Sequence, residues 1–98
     1  MIQIDWSENA KIDLKLIFDK VKKKTYSKKL DKNAVDNIYL AGITIQFTAQ
    51  YQIDETLGQP YRRIIVSHYK IIYKPINKNH IRILEVFDTY QNPIRLRK

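Results

Sequence analysis

Apolar and polar residues alternate from the start of the chain: Ile2, Ile4 and Trp6 are separated by single polar residues. A period of two predicts a half-buried strand over residues 1–6. Ser7 follows as a helix N-cap, and Glu8 sits in the first turn, where the helix dipole favours a carboxylate. Beyond it Ala10, Leu14, Ile17, Phe18 and Val21 recur at helical spacing, ending in Lys22-Lys23-Lys24, cations that suit a helix C-terminus. A second stripe runs through Leu30, Ala34, Ile38, Ala41, Ile45 and Ala49, in steps of three or four. It predicts one long helix that tolerates Gly42 at a cost of about 1 kcal/mol. Its alanines imply close approach to the first helix. With a short connection near Thr25-Tyr26-Ser27, residues 7–49 read as a helical hairpin.

Residues 50–60 hold Gly58 and Pro60 and read as a loop. Three strands are then predicted, Tyr61 to Val66, Tyr69 to Tyr73 and Ile81 to Phe87, each rich in Ile, Val, Tyr or Phe. Ser67-His68 is the tightest place for the first turn and Asn77-Lys78-Asn79 makes the second. Asn92-Pro93 breaks regular structure, and residues 88–98 form a basic tail. The whole is one domain, 1–98, of class α+β: β-α-α-β-β-β, a helical hairpin on one face of a small twisted, mainly antiparallel sheet.

Charge sharpens this picture. The formal net charge is +8, and it is unevenly placed. Residues 1–59 balance to +1 and residues 60–98 to +7, where Glu85 and Asp88 are the only acids. Such a field attracts polyanions or an acidic protein segment, or it simply keeps the surface soluble. The chain has no cysteine, no apolar run near eighteen residues and no signal-peptide pattern at its N-terminus. A reducing, cytoplasmic setting is the expectation.

Turn geometry groups the cations. A two-residue turn at Ser67-His68 would oppose Val66 to Tyr69, Ile65 to Lys70 and Arg63 to Ile72, and directly opposed residues share a face. Arg63, Ile65, Lys70, Ile72 and Lys74 would then lie together, with Arg62, Ile64, Val66, Tyr69, Ile71 and Tyr73 on the reverse. A one-residue change in the turn would exchange Arg62 for Arg63, and both stay open. On the last strand Arg82 would share a side with Leu84 and Val86, opposite Ile81, Ile83 and Phe87. Clustered cations beside tyrosines suit phosphates and stacked bases. Equally, they suit solvated cations whose stems lie along a sheet. His68 and His80 read as solvated residues at strand ends. No metal-ligand spacing, Gly-rich phosphate loop, Ser-His-Asp set or paired carboxylates is present, so no metal and no cofactor is expected.

Tyr61-Arg62-Arg63-Ile64-Ile65-Val66, Tyr69-Lys70-Ile71-Ile72-Tyr73 and Ile81 to Val86, followed by Phe87-Asp88-Thr89-Tyr90-Gln91-Asn92-Pro93, resemble the C-terminal half of RelE/ParE-family toxins. The element order is similar too, and Thr25-Tyr26-Ser27-Lys28-Lys29-Leu30 looks like that family's helix-hairpin segment. The resemblance implies a growth-inhibiting toxin of a type II toxin–antitoxin system, of the kind associated with plasmid stabilisation, neutralised by a cognate antitoxin. It implies one of two actions. ParE-like members poison DNA gyrase by binding, whereas RelE-like members cut mRNA at the ribosome, where the 2′-hydroxyl attacks the neighbouring phosphate.

Carried onto this chain, the nuclease set is partial. One of Arg62 and Arg63 is available where two basic residues would share a face, and Lys70 stands at the next strand's basic position. Asp88-Thr89-Tyr90 replaces the usual Asp-Thr-Arg, so a phenol stands where an arginine would neutralise phosphate. The tail after Pro93, Ile94-Arg95-Leu96, lacks the tyrosine expected of nuclease members. The resemblance therefore favours ParE-like action, with gyrase as target. The ribosome-dependent nuclease, using Arg62 or Arg63, Lys70 and Tyr90, is the alternative. Arg63, Lys70, Lys74, Arg82, Arg95 and Arg97 are the expected contacts for target or antitoxin.

Overall fold

The computed structural model describes residues 1–24 and 28–90, with side chains for residues 1–20 and 34–90. Its elements follow in the order β1 (Gln3–Trp6), α1 (Glu8–Lys24), α2 (Lys28–Ile43), β2 (Arg62–Val66), β3 (Tyr69–Asn77) and β4 (His80–Asp88). The sheet order is β1-β4-β3-β2, with β1 parallel to β4 and the other pairs antiparallel. The α+β class and the element order are those expected. No helix among the described residues is long and apolar enough to cross a membrane. The connection at Thr25-Tyr26-Ser27, the side chains of Val21 and Leu30, and the tail bearing Arg95 and Arg97 lie outside the described residues.

One sheet face carries the core. Ile64, Ile71, Tyr73, Ile81, Ile83 and Val86 pack against Ala10 and Ile17 of α1, Ile38 of α2, and Ile45 just beyond it. The N-cap is Ser7: its Oγ accepts the Ala10 N–H at 3.0 Å.

One expectation fails here for a local reason. The second helix ends at Ile43 and does not reach Ala49. Ile43-Thr44-Ile45 is a β-branched run of low helix propensity, and the Thr44 hydroxyl donates back to the Leu40 carbonyl at 2.7 Å. Ile45 keeps its place in the core, but Ala49 is exposed. That helix also packs tightly on the sheet. A Cβ on Gly42 would stand 2.6 Å from Trp6 Cζ2 and 2.7 Å from Ile83 Cδ1, so glycine lets α2 press onto the sheet.

In β4, Ile72 pairs with Glu85 but Tyr73 pairs with Ile83, leaving Leu84 as the extra residue of a bulge. The bulge inverts the alternation beyond it. Val86 joins Ile81 and Ile83 in the core, while Phe87 opposes Lys70 on the other face, the reverse of the expected assignment. Residues at the start of α1 satisfy the backbone around it: Ser7 Oγ donates to the Leu84 carbonyl at 2.9 Å, and Asp13 Oδ2 accepts the Val86 N–H at 2.9 Å.

Candidate functional site

The β2–β3 hairpin settles which arginine accompanies Lys70. The two-residue turn places Ser67 at φ 57°, the positive-φ geometry that hairpin loops use. Ile65 then opposes Lys70 and Arg63 opposes Ile72, so Arg63 and Lys70 share the face turned away from the helices. Arg62 points the other way and donates from Nη1 to the Tyr51 carbonyl at 2.7 Å. The same register continues the outer face through Lys74, which opposes Arg82 on β4. Four of the six cations singled out from the sequence therefore lie on one sheet face. The other two, Arg95 and Arg97, fall in the tail.

Most of these cations already hold a carboxylate. Before β2 the chain runs antiparallel to it, with an Ile53–Arg62 bridge and the Arg63 N–H donating to the Gln52 carbonyl at 3.0 Å. It then turns tightly, Asp54 N–H to the Tyr61 carbonyl and Gly58 N–H to the Asp54 carbonyl, both at 2.8 Å. Gly58 takes φ 72°, which is why glycine stands there. This turn aims two acids at the sheet. Asp54 is fully buried; its Oδ1 accepts the Thr56 and Leu57 N–H groups at 2.9 and 2.8 Å, and its Oδ2 lies 3.0 Å from Lys70 Nζ. Glu55 bridges the pair, 2.7 Å from Arg63 Nε and 3.7 Å from Lys70 Nζ. Arg63 Nη2 also donates to Gln52 Oε1 at 3.2 Å.

Burial works to raise the Asp54 carboxyl, but the Leu57 N–H, Lys70 and the Thr56 N–H outweigh it and hold it below its ordinary value. Glu55 is also lowered, by its own backbone N–H and then by the Arg63 guanidinium.

A second cluster lies at the other edge of the same face. Asp5 on β1 receives Arg82 Nε at 2.8 Å on one oxygen and touches His80 Nε2 at 2.5 Å with the other. Burial would raise this carboxyl, yet hydrogen bonds from Arg82 and His80 lower it overall. His80 is thus a paired residue and not the solvated one expected. Lys74 makes no ion pair among the described residues.

His68 also departs from expectation. Its ring touches that of Tyr69, with centroids 4.2 Å apart and tilted by 35°, and stacks on Tyr90 at 5.0 Å and 9°. Its Nε2 is 3.7 Å from Asp88 Oδ2. The His68 carbonyl accepts both the N–H and the hydroxyl of Thr89, at 2.9 and 2.7 Å, so Asp88-Thr89-Tyr90 docks on the hairpin turn. Tyr90 remains 83% exposed, its stack open to a further flat group on one side. Burial, then the Asp88 charge, raises the Tyr69 phenol.

Of the candidate nuclease residues, Arg63 and Lys70 share a face and Arg62 lies on the other. No hydrogen bond, ion pair or ring contact among the described residues joins Tyr90 to Arg62, Arg63 or Lys70, and Lys70 is occupied by Asp54. Reasoning from sequence missed Asp5, Asp54 and Glu55. For the last two a signal exists: adjacent acids in a Gly- and Pro-bearing loop immediately before a strand that carries adjacent arginines. Among the described residues no group of three or more His, Asp or Glu is placed to hold a metal ion.

No family model matches the chain, and no curated protein matches it. Among solved structures it is similar to a chain described as "Chromosomal ParDE TA system from P. aeruginosa". The TM-score is 0.74 at 18% sequence identity, over 90% of this chain and 96% of that one. At that identity the likeness is one of fold. The chain has the α+β fold of this ParDE-system protein, which is the architecture its resemblance to RelE/ParE toxins implied.

Proposed function

We propose that the chain is the toxin of a type II toxin–antitoxin system, a cytoplasmic growth inhibitor held by a cognate antitoxin, and that it acts ParE-like, by binding. DNA gyrase is the expected target by resemblance. The fold shared with a ParDE-system protein supports the toxin reading and the antitoxin partner. One observation supports binding over mRNA cleavage: Lys70, the cation that a nuclease would turn toward a phosphate, is 7% exposed and paired with buried Asp54. A transition-state cation must be free to meet developing charge, and this one is neutralised within the protein. The phenol at Tyr90, unlike an arginine, also brings no charge to a phosphate.

The antitoxin is expected to cross the cationic face and the helical hairpin, and a free sheet edge offers backbone pairing. In β1 the Gln3 and Ser7 N–H groups point to the Asn79 and Ile83 carbonyls, so the Ile4 backbone faces outward.

Three measurements test the reading. Expression without a partner should arrest growth, and co-expression of an adjacent small acidic or DNA-binding open reading frame should restore it. Purified protein should inhibit gyrase supercoiling or trap its cleavage complex, and unaffected gyrase would reject the gyrase target. New 3′ ends within codons on translating ribosomes would instead establish the nuclease.

A further inference from the structure

Lys74 and Arg82 stand directly opposite each other on β3 and β4, on the sheet face turned away from the helices. Directly opposed like charges repel, and such a pair destabilises a sheet unless a counter-ion lies close. One carboxylate is near, but it serves only half of the pair. Asp5 of β1 is the register partner of Arg82 on the side away from β3. Its Oδ1 accepts Arg82 Nε at 2.8 Å and its Oδ2 meets His80 Nε2, so both oxygens are engaged. Nothing among the described residues meets Arg82 Nη1, Arg82 Nη2 or Lys74 Nζ.

We propose that Lys74 and Arg82 form a binding site for a terminal phosphate, the dianionic phosphoryl group of a monoester or of inorganic phosphate. Directly opposed residues hold their Cβ atoms about 4.5–5.5 Å apart, so both cationic heads can close on one anion. The Asp5 bond fixes the guanidinium at Nε and leaves the Nη fork open, on a side chain that is 44% exposed.

Donor geometry selects the anion. The fork takes two oxygens, and the ammonium, arriving from the neighbouring strand, calls for a third. A carboxylate has two oxygens, and a phosphodiester has two that are unesterified. Either one makes the ammonium share an oxygen with the fork. A terminal phosphate has three, set tetrahedrally, and its two charges meet the two cations that otherwise face each other. The site stands on this geometry alone, so it and the toxin reading can fail independently.

The test is a titration followed by NMR, reading Lys74 Cε and Arg82 Cδ at about pH 8, where a phosphate monoester is a dianion. Inorganic phosphate, dimethyl phosphate and acetate are compared at one ionic strength. Phosphate should bind about tenfold more tightly than either monoanion, the discrimination that one charge-assisted hydrogen bond supports. Lys74→Gln should abolish that preference, and its thermal midpoint without phosphate should equal or exceed the parent's, because a repulsion is removed. Arg82→Lys, which keeps the charge and loses the fork, should also weaken phosphate binding. The proposal is overturned if acetate or dimethyl phosphate binds as tightly as phosphate, if the preference survives Lys74→Gln, or if that variant's midpoint falls. Shifts of equal size at Lys11 and Lys15 of α1 overturn it too, since they mark an adventitious ion only. A dinucleotide with and without a 5′-phosphate separates the sources of the group. Tighter binding of the phosphorylated form than of inorganic phosphate assigns a nucleic-acid end, equal binding assigns a free phosphate, and both sustain the site.

Discussion

Asp13 on α1 accepts the N–H of Val86 on β4 at 2.9 Å, across 73 residues of sequence. The bulge at Leu84 takes Val86 out of simple alternation, and the helix supplies the acceptor. A buried N–H left without a partner costs about 1–3 kcal/mol. Asp13→Leu should lower unfolding free energy by that amount in urea titration, while Asp13→Asn, which retains an acceptor oxygen, should lose less than half as much. Equal losses would show that the carboxylate is held for another reason.

This contact also marks where the sequence stops being informative. Local signals carried the fold: alternation in Ile2-Ile4-Trp6, the cap at Ser7, the first helical stripe, the second as far as Ile43, and the two-residue turn at Ser67-His68 sit where their spacing put them. The bulge leaves no signal in composition, so the faces of Val86 and Phe87 came out reversed. The candidate site was legible as cations and not as ion pairs. The register that gathers Arg63, Lys70 and Lys74 follows from turn length; Arg82 joins them through a β3–β4 pairing with register shifts, and the acids that meet these cations arrive from an irregular loop and from the first strand. Such contacts are tertiary. No periodicity encodes them.

The Asp54–Lys70 pair should behave as a coupled unit. Removing one partner strands a buried charge, at a cost of about 3 kcal/mol. Asp54→Leu leaves Lys70 with only Glu55 at 3.7 Å, and Lys70→Met leaves Asp54 with two N–H donors. The double variant should be more stable than Asp54→Leu alone; strictly additive losses would mean that the pair is not coupled. The acid dependence has a definite sign. The folded Asp54 carboxyl lies below its ordinary 3.8, so its contribution is complete above about pH 4 and is lost as pH falls through the lowered value. Asp54→Asn should flatten the stability profile in that window. It should not abolish the slope, because Asp5 and Glu55 are lowered too.

Gly42→Ala opposes two effects that differ in size. In a helix the added methyl gains about 1 kcal/mol of propensity. Here it would stand 2.6 Å from the Trp6 ring and 2.7 Å from fully buried Ile83, and overpacking of this kind costs about 1–3 kcal/mol. The net effect should be destabilising, with a lower thermal midpoint and a disturbed Trp6–Tyr39 stack, whose centroids are 5.6 Å apart. Near-ultraviolet circular dichroism and Trp fluorescence report the second change. A raised midpoint would show that β1 can move away from α2 at little expense.

Tyr90 separates binding from chemistry, because its ring and its hydroxyl serve different roles. The ring stacks on His68 and leaves its other side open, and this geometry does not involve the oxygen. In a nuclease the hydroxyl would have to move a proton, so the oxygen itself would be required. If the chain acts by binding, Tyr90→Phe should arrest growth within about twofold of the parent, since stacking is kept. Tyr90→Ala should weaken arrest several-fold, at unchanged protein level and thermal midpoint, since a stacked ring is worth about 1–3 kcal/mol. Loss of arrest in Tyr90→Phe, with folding intact, would instead assign the work to the hydroxyl and favour cleavage.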